Sequence, residues 1–178
     1  LLGKHACHEF AHGGPSFDLP WSPARNPWDP ARFTGGSSSG SAAAVAGGLA
    51  LGAFGTDTGG SVRNPAALCG IAGLKPTYGL ISRRGVIPNA FTFDHCGPMA
   101  RTTEDCAILL QAVAGHDAGD PTSIARAVPD YAAALGRGVK GLKIGVIRHF
   151  WENDLPAGDE AGRAVEEALG VLAGLGAT

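Results

Sequence analysis

No apolar run in this 178-residue sequence is long enough to cross a membrane. The longest, Ala42–Gly55, has 14 residues and three interior glycines, against the ~20 apolar residues that a spanning helix requires. Charge is also scarce. Fourteen Lys and Arg against sixteen Asp and Glu leave a net charge of −2 and a pI near 6.3. That balance offers no electrostatic footprint for direct nucleic-acid binding. The four cysteines, Cys7, Cys69, Cys96 and Cys106, form no C-x-x-C pair. In a domain of this size they read as buried free thiols in a reducing, cytoplasmic setting rather than as a disulfide framework.

Apolar residues and glycine are abundant. The sequence is 44% hydrophobic and carries 28 glycines, about twice the usual share of roughly 7%. The glycines sit in pairs at turns without a fixed period, which excludes collagen and low-complexity linkers. Residues 13–36 hold five prolines and read as an ordered surface loop. Ser41–Val45 reads as a short helix stopped by Gly47-Gly48, and Leu49–Thr56 as a buried strand. A second helix is expected with Asn64 as N-cap, Pro65 at its first position and Gly70 past its end. Ile71–Thr77 and Gly85–Pro88 are short extended candidates. Thr102 and Asp105 form a capping box with Asp in place of Glu, ahead of a helix with Leu109, Leu110 and Val113 on one face and Gly115 at its end. One helical turn is expected at Tyr131–Leu135, a strand at Leu142–Ile147, and a last helix capped by Asp159 with Val165, Leu169 and Leu172 on one face. Alternating strands and helices indicate an α/β layered sheet. Leu1-Leu2 before Gly3-Lys4 resembles the end of a buried strand, and Gly176–Thr178 resembles a loop feeding another. The sequence is therefore expected to be an internal piece of a larger α/β protein.

Several motifs compete for the chemistry. His8-Glu9-Phe10-Ala11-His12 matches H-E-x-x-H, in which two histidines one helical turn apart share zinc with Glu as base. Gly13-Gly14-Pro15 ends any such helix at once and no third ligand follows, so a chance match at a loop edge is the better reading. Gly36–Gly40 is formally G-x-S-x-G, but a nucleophile elbow needs a buried strand immediately before it. The preceding Asn26–Thr34 is polar and broken by two prolines. Gly70–Thr77 has the wrong spacing for a phosphate loop.

The remaining candidate is a pair of serines, Ser37 and Ser61, each after Gly-Gly and 24 positions apart. Either element alone reads as a plain turn. However, Thr56-Asp57-Thr58-Gly59-Gly60-Ser61 follows a strand and precedes a helix start, so its amides face a positive dipole end. Consecutive N–H groups in such a turn can cradle an oxyanion. Ser37 opens the helix that feeds the same strand, so the fold can return it to Ser61.

These motifs together resemble the amidase signature family. The resemblance runs through LLGK, EFA, RNPWDP, GGSSSGSAAAVAGG, GTDTGGSVRNPAALCGIAGLKPTYG and FDHCGPMARTTEDCAILLQAVAGHDAGDPTS, which is most of the chain. It implies a mixed central β-sheet with helices on both faces, and one amidase signature domain over residues 1–178, truncated at both ends. It further implies a Ser–cis-Ser–Lys triad that hydrolyses amides. Ser61 would be the nucleophile, and Ser37, entered through a cis peptide, the bridging serine. The amides of Thr58, Gly59, Gly60 and Ser61 would form the oxyanion hole. Ser38, Asp57, Arg63 and Asp94 lie in family motifs; they either brace the site or serve as ordinary structural polar groups. No metal and no organic cofactor is implied.

The family's lysine belongs upstream of the first serine, and neither Lys4 nor Lys75 occupies its position. These 178 residues alone are accordingly expected to be inactive. The expected substrate is a small carboxylic amide, in a homodimer or, for the glutaminase-type A subunit of a tRNA-dependent amidotransferase, with partner subunits. No direct nucleic-acid or membrane partner is expected. A non-catalytic scaffold of the same fold is the alternative from another class, and a lysine at an upstream strand end would exclude it.

Overall fold

The computed structural model describes residues 2–14 and 16–178. The chain divides into two compact units, one up to Ala132 and one from Ala133 to Thr178. The elements in order are a 3-10 turn (Glu9–Ala11), α1 (Ser39–Ala46), β1 (Gly52–Asp57), α2 (Arg63–Cys69), β2 (Ala72–Gly73), β3 (His95–Ala100), α3 (Thr103–Val113), α4 (Tyr131–Leu135), a π-helical turn (Phe150–Asp154) and α5 (Asp159–Gly174). No described helix is long and apolar enough to cross a membrane.

The fold is α/β. Its described sheet has the order β1-β3-β2, and both pairings are antiparallel. Gly52 faces Ala100 and Asp57 faces His95 along the β1–β3 ladder. Met99 lies on one face with Ala42 of α1 and with Val62, Ala66 and Cys69 in and beside α2. On the other face, a Cβ on Gly52 would come 2.5 Å from Leu109 Cδ1 of α3. Helices thus cover both faces of this sheet. A second apolar cluster joins Leu80, Ile81 and Leu110.

Close approach explains two strand glycines. Gly55 and Gly97 are direct partners across the ladder. A Cβ on Gly55 would lie 2.3 Å from Ser38 Oγ, and one on Gly97 would lie 2.2 Å from the Leu74 carbonyl. Their bare backbones let the start of α1 settle onto β1 and the chain after β2 settle onto β3. Ser38 Oγ then accepts from Thr56 N at 3.3 Å and donates to Thr56 O at 3.4 Å.

Several sequence expectations hold. α1 ends at Gly47, and Gly70 closes α2 at φ +69. Thr102 Oγ1 accepts from Asp105 N at 3.1 Å at the start of α3, and α4 occupies the expected helical turn. Others need correction. Leu49 and Leu51 are 84% and 94% exposed, because the strand begins only at Gly52. Asn64 is no N-cap. α2 begins two residues earlier, with Val62 as the cap and Arg63 first, and Asp57 takes its first amides instead. Ile71–Thr77 shortens to the two residues of β2, and Gly85–Pro88 forms no strand.

The central strand β3 is the element that sequence reading did not foresee. Pro98 sits inside it, which normally argues against a central strand. The Pro98 carbonyl points to Leu74, accepting from its N–H at 3.0 Å. The ring nitrogen points the same way, away from Phe54 opposite, so the β1–β3 ladder loses no bond.

In α3 the buried residues are Cys106, Ala107 and Leu110, whereas Val113 is exposed. Leu2 is exposed and outside any strand; Leu1 and Pro15 lie outside the described residues. Cys69 and Cys106 are buried free thiols as expected, but Cys7 is exposed.

In the second unit Leu142–Ile147 forms no strand. Leu142 O accepts from Thr178 N at 2.8 Å, and Ile144 N donates to Thr178 O at 2.7 Å. These two bonds flank one residue pair, while a ladder needs successive pairs. Asp159 is the first residue of α5, with Gly158 as the cap, and none of the helix's residues is buried.

Candidate active site

The turn after β1 is shaped by one buried carboxylate. Asp57 is fully buried, and its Oδ2 accepts from Val62 N at 3.1 Å, Arg63 N at 3.2 Å and Arg63 Nε at 3.0 Å. Its Oδ1 accepts from Arg63 Nη2 at 2.9 Å. Burial by itself would raise the Asp57 carboxyl. The Arg63 side chain and the two amides outweigh it and hold the group below its ordinary value. These bonds draw the ends of residues 58–61 together into a tight turn. Gly60 stands at φ +138, a conformation that side chains rarely permit, and Asn64 N closes the turn on Gly60 O at 2.6 Å.

The first Gly-Gly-Ser element returns beside this turn. Ser38 N donates to Ser61 O at 3.3 Å, and Gly36 N donates to Asn64 Oδ1 at 3.2 Å. Gly35, at φ +75, passes so close to α2 that a Cβ would meet Asn64 Oδ1 at 2.6 Å and Pro65 Cα at 2.7 Å. The Gly36–Ser37 peptide is cis. Ser37 is 1% exposed, and its carbonyl accepts from His8 N at 3.0 Å. Both serines therefore belong to one neighbourhood, tied through backbone rather than by sequence proximity.

A cleft of about 540 Å³ opens over the turn. Thr58, Gly59, Gly60 and Ser61 line one wall, with Gly36 and Asn64 beside them. Asn89 and Ala90 line another wall, and Phe33 and the Ala11–Gly14 stretch complete the rim. The N–H groups of Gly59, Gly60 and Ser61 donate to no acceptor among the described residues. α2 has only seven residues, so the turn's own amides, not a helix terminus, are the donors available to a ligand in the cleft.

Asp94 is 5% exposed and accepts from the Thr58 hydroxyl and from the amides of Asn89 and Ala90. Burial opposes its ionisation, and these donors, with Arg83 nearby, more than compensate and lower its pKa. Sequence reading singled out Asp94, took Asn64 only for a helix cap, and passed over Arg83, Phe33 and Asn89. Their roles arise from contacts between distant segments, for which no local motif exists.

Among the described residues no lysine lines the cleft. Lys75 Nζ lies 3.2 Å from His95 Nε2, whose ring Nδ1 lies 2.6 Å from Phe93 O. The H-E-x-x-H match does not form an α-helix. It is a single 3-10 turn, with Phe10 and Ala11 at φ +53 and +57. Among the described residues no group of three His, Cys, Asp or Glu side chains is placed to hold a metal ion. Gly36–Gly40 runs straight into α1 with no strand before it.

Comparison with known proteins follows the same lines. The family model described as Amidase matches residues 1–178. The chain belongs to the amidase signature family. It is 53% identical over 176 residues, 99% of its length, to the A subunit of the glutamyl-tRNA(Gln) amidotransferase of Chromohalobacter salexigens, of which it spans 36%. The crystal structure of the corresponding A subunit from Thermotoga maritima superposes with a TM-score of 0.91 at 44% identity, covering 99% of this chain and 38% of that one. The peptide amidase of Stenotrophomonas maltophilia superposes at 0.84 with 42% identity, covering 99% of this chain and 37% of that one. The amidase signature chain thus spans little more than a third of the length of these relatives.

Proposed function

We propose that the protein hydrolyses carboxylic amides through an acyl-enzyme on Ser61. The observation that carries this reading is the set of uncommitted amides at Gly59, Gly60 and Ser61 lining a cleft beside a buried second serine. Ser61 Oγ attacks the amide carbonyl while its proton passes to Ser37 Oγ. Ser37 hands its own proton to a neutral lysine outside these residues, as the family resemblance implies. The turn's amides hold the negative charge that develops on the carbonyl oxygen, a contribution of about 3–4 kcal/mol per donor in comparable sites. Collapse of the intermediate breaks the C–N bond, and the relay returns the proton to the departing amine. Water then releases the acid by the reverse route. Asp57 and Arg63 fix the turn, and Ser38 fixes its approach to α1.

Fluorophosphonate labelling of the complete protein tests this assignment. Labelling and amide hydrolysis are both expected to vanish in Ser61→Ala, and labelling that persists in that variant refutes the nucleophile.

A second, narrower reading is favoured by the relatives. Identity to amidotransferase A subunits reaches 56%, against 42% for the peptide amidase. On this reading the substrate is the side-chain amide of glutamine, the ammonia released is used by partner subunits, and the setting is cytoplasmic. Ammonia release from glutamine, compared with release from peptide and aryl amides, decides between the two, and it should be measured with and without co-purifying subunits.

A further inference from the structure

The carboxylate of Asp94 joins two separate segments that line the cleft. Its Oδ1 accepts from the Thr58 hydroxyl, on the wall that carries Ser61. Its Oδ2 accepts from Asn89 N at 2.8 Å, and Ala90 N lies 3.0 Å from both oxygens; these two residues also line the cleft. The loop that presents Asn89 and Ala90 is closed on Asp94 a second time, where Asp94 N donates to Ala90 O at 2.9 Å.

Behind this loop stands Arg83. Its Nη1 donates to the carbonyls of Phe91 at 2.8 Å and Asp94 at 3.1 Å. Its Nη2 donates to Tyr78 OH at 2.6 Å and Thr122 Oγ1 at 2.9 Å. The guanidinium also stacks over the Tyr78 and Phe91 rings, 4.6 and 5.3 Å from their centroids. Such a planar donor fork, satisfied on several sides, is stiff. Asp94 is therefore held in place from outside the cleft before any substrate enters.

We propose that Asp94, anchored by Arg83, is a positioning residue for acylation. By holding the Thr58 side chain it fixes the Thr58–Ser61 amides where the carbonyl oxygen develops charge. By holding Asn89 and Ala90 it sets the width of the cleft over them. This inference rests on the reading of that turn as the oxyanion cradle. A charge-assisted O–H···carboxylate bond is strong enough to fix a rotamer, and misplacing reacting groups by about 1 Å can cost ~100-fold in rate. Asp94 touches no reacting atom.

The experiment is a double-mutant cycle in the complete protein, read by steady-state amide hydrolysis and by the rate of fluorophosphonate labelling at Ser61. Thr58→Val removes the hydroxyl at nearly constant volume, and Asp94→Ala removes the acceptor. Each is expected to lower kcat and the labelling rate about 10-fold or more, with KM changed by less than about threefold. The double variant should lose no more than the worse single one, and Thr58→Ser should recover most of what Thr58→Val loses. Thr58→Val keeps the proposal falsifiable if Asp94→Ala, which orphans two amides, fails to fold. Normal labelling and kcat in folded Thr58→Val, or losses that multiply in the double variant, overturn the positioning role while Ser61 remains the nucleophile. Labelling that survives Ser61→Ala overturns the assignment of the turn and the positioning role with it.

Discussion

Asp57 and Arg63 meet in a two-point bridge, Nη2 on Oδ1 at 2.9 Å and Nε on Oδ2 at 3.0 Å, across the turn that carries Ser61. The partners are unequal, since the Asp57 side chain is fully buried and that of Arg63 is 51% exposed. Water can replace part of what Asp57 loses when Arg63 is cut away. Nothing comparable can reach the Val62 and Arg63 amides when Asp57 is removed. Asp57→Ala, which orphans both amides, is therefore expected to destabilise the protein by about 3–5 kcal/mol, and Arg63→Ala by about 1–3 kcal/mol. Urea unfolding of the two variants checks the order, and a larger loss for Arg63→Ala would contradict the geometry.

Acid should undo the same turn. The Asp57 and Asp94 carboxyls are both held below their ordinary value in the fold, because their hydrogen-bond donors outweigh the effect of burial. A group lowered in the fold contributes stability above its unfolded pKa, about 3.9 for Asp, and loses it as pH falls through the lower folded value. Thermal stability should thus fall off below about pH 4, with the turn implicated if Ser61 labelling declines in parallel. Arg63→Ala removes a cause that lowers the Asp57 carboxyl, which brings the folded and unfolded values closer, so the variant's melting temperature should fall less steeply with acid than that of the wild type. Melting temperatures of both proteins between pH 7 and pH 3 give the comparison; coincident profiles would sink the assignment.

Gly55 offers a steric test of how the sheet admits Ser38. An added Cβ would stand 2.3 Å from Ser38 Oγ and 2.7 Å from Ser38 Cβ, with Met99 Cε at 3.0 Å. The side chain of Ser38 is held by Thr56 on both its donor and acceptor sides, so it has no free rotamer to retreat to. Gly55→Ala is expected to destabilise by about 1–3 kcal/mol through overpacking and to slow Ser61 labelling, since Ser38 N is bonded to Ser61 O. Gly145→Ala is the control for glycine loss without a clash, as its φ is not positive and nothing lies within 4 Å of its added Cβ.

The parts of this fold that were legible in the sequence are those with local causes. Gly48 and Gly70 follow their helices at φ +74 and +69, where other residues resist. Thr102 announces α3 through a cap three residues long. The two Gly-Gly-Ser elements were visible because paired glycines and a following serine are contiguous. β3 was not legible. A strand containing Gly97-Pro98 has poor intrinsic propensity, and only its place between β1 and β2 makes it a strand. The start of α2 was misread for a related reason. Asn64 looked like a cap, yet the acceptor that satisfies the first amides is Asp57, on the far side of the turn. Asn64 instead holds Gly36, 28 residues earlier. The walls of the cleft were equally hidden, because Phe33, Asn64 and Asn89 meet only through tertiary contacts.

The cysteines give a prediction independent of the catalytic reading. Cys69 and Cys106 are buried, and burial raises both thiols above their ordinary pKa. Their sulfurs also face backbone carbonyls, Cys69 Sγ at 3.6 Å from Thr34 O and Cys106 Sγ at 3.6 Å from Ala72 O. A raised pKa leaves little thiolate at neutral pH, and the surrounding side chains exclude the reagent as well. Cys7 is exposed, next to His8, whose N–H is bonded to the Ser37 carbonyl. Brief treatment with iodoacetamide near pH 7.5, followed by peptide mapping, should modify Cys7 first and spare Cys69 and Cys106 until the protein is unfolded. Cys96 is only partly buried by its neighbours, but burial raises its thiol too, so it should react more slowly than Cys7. Early alkylation of Cys69 or Cys106 in folded protein would show that the packing of α2 and α3 on the sheet is looser than these contacts require.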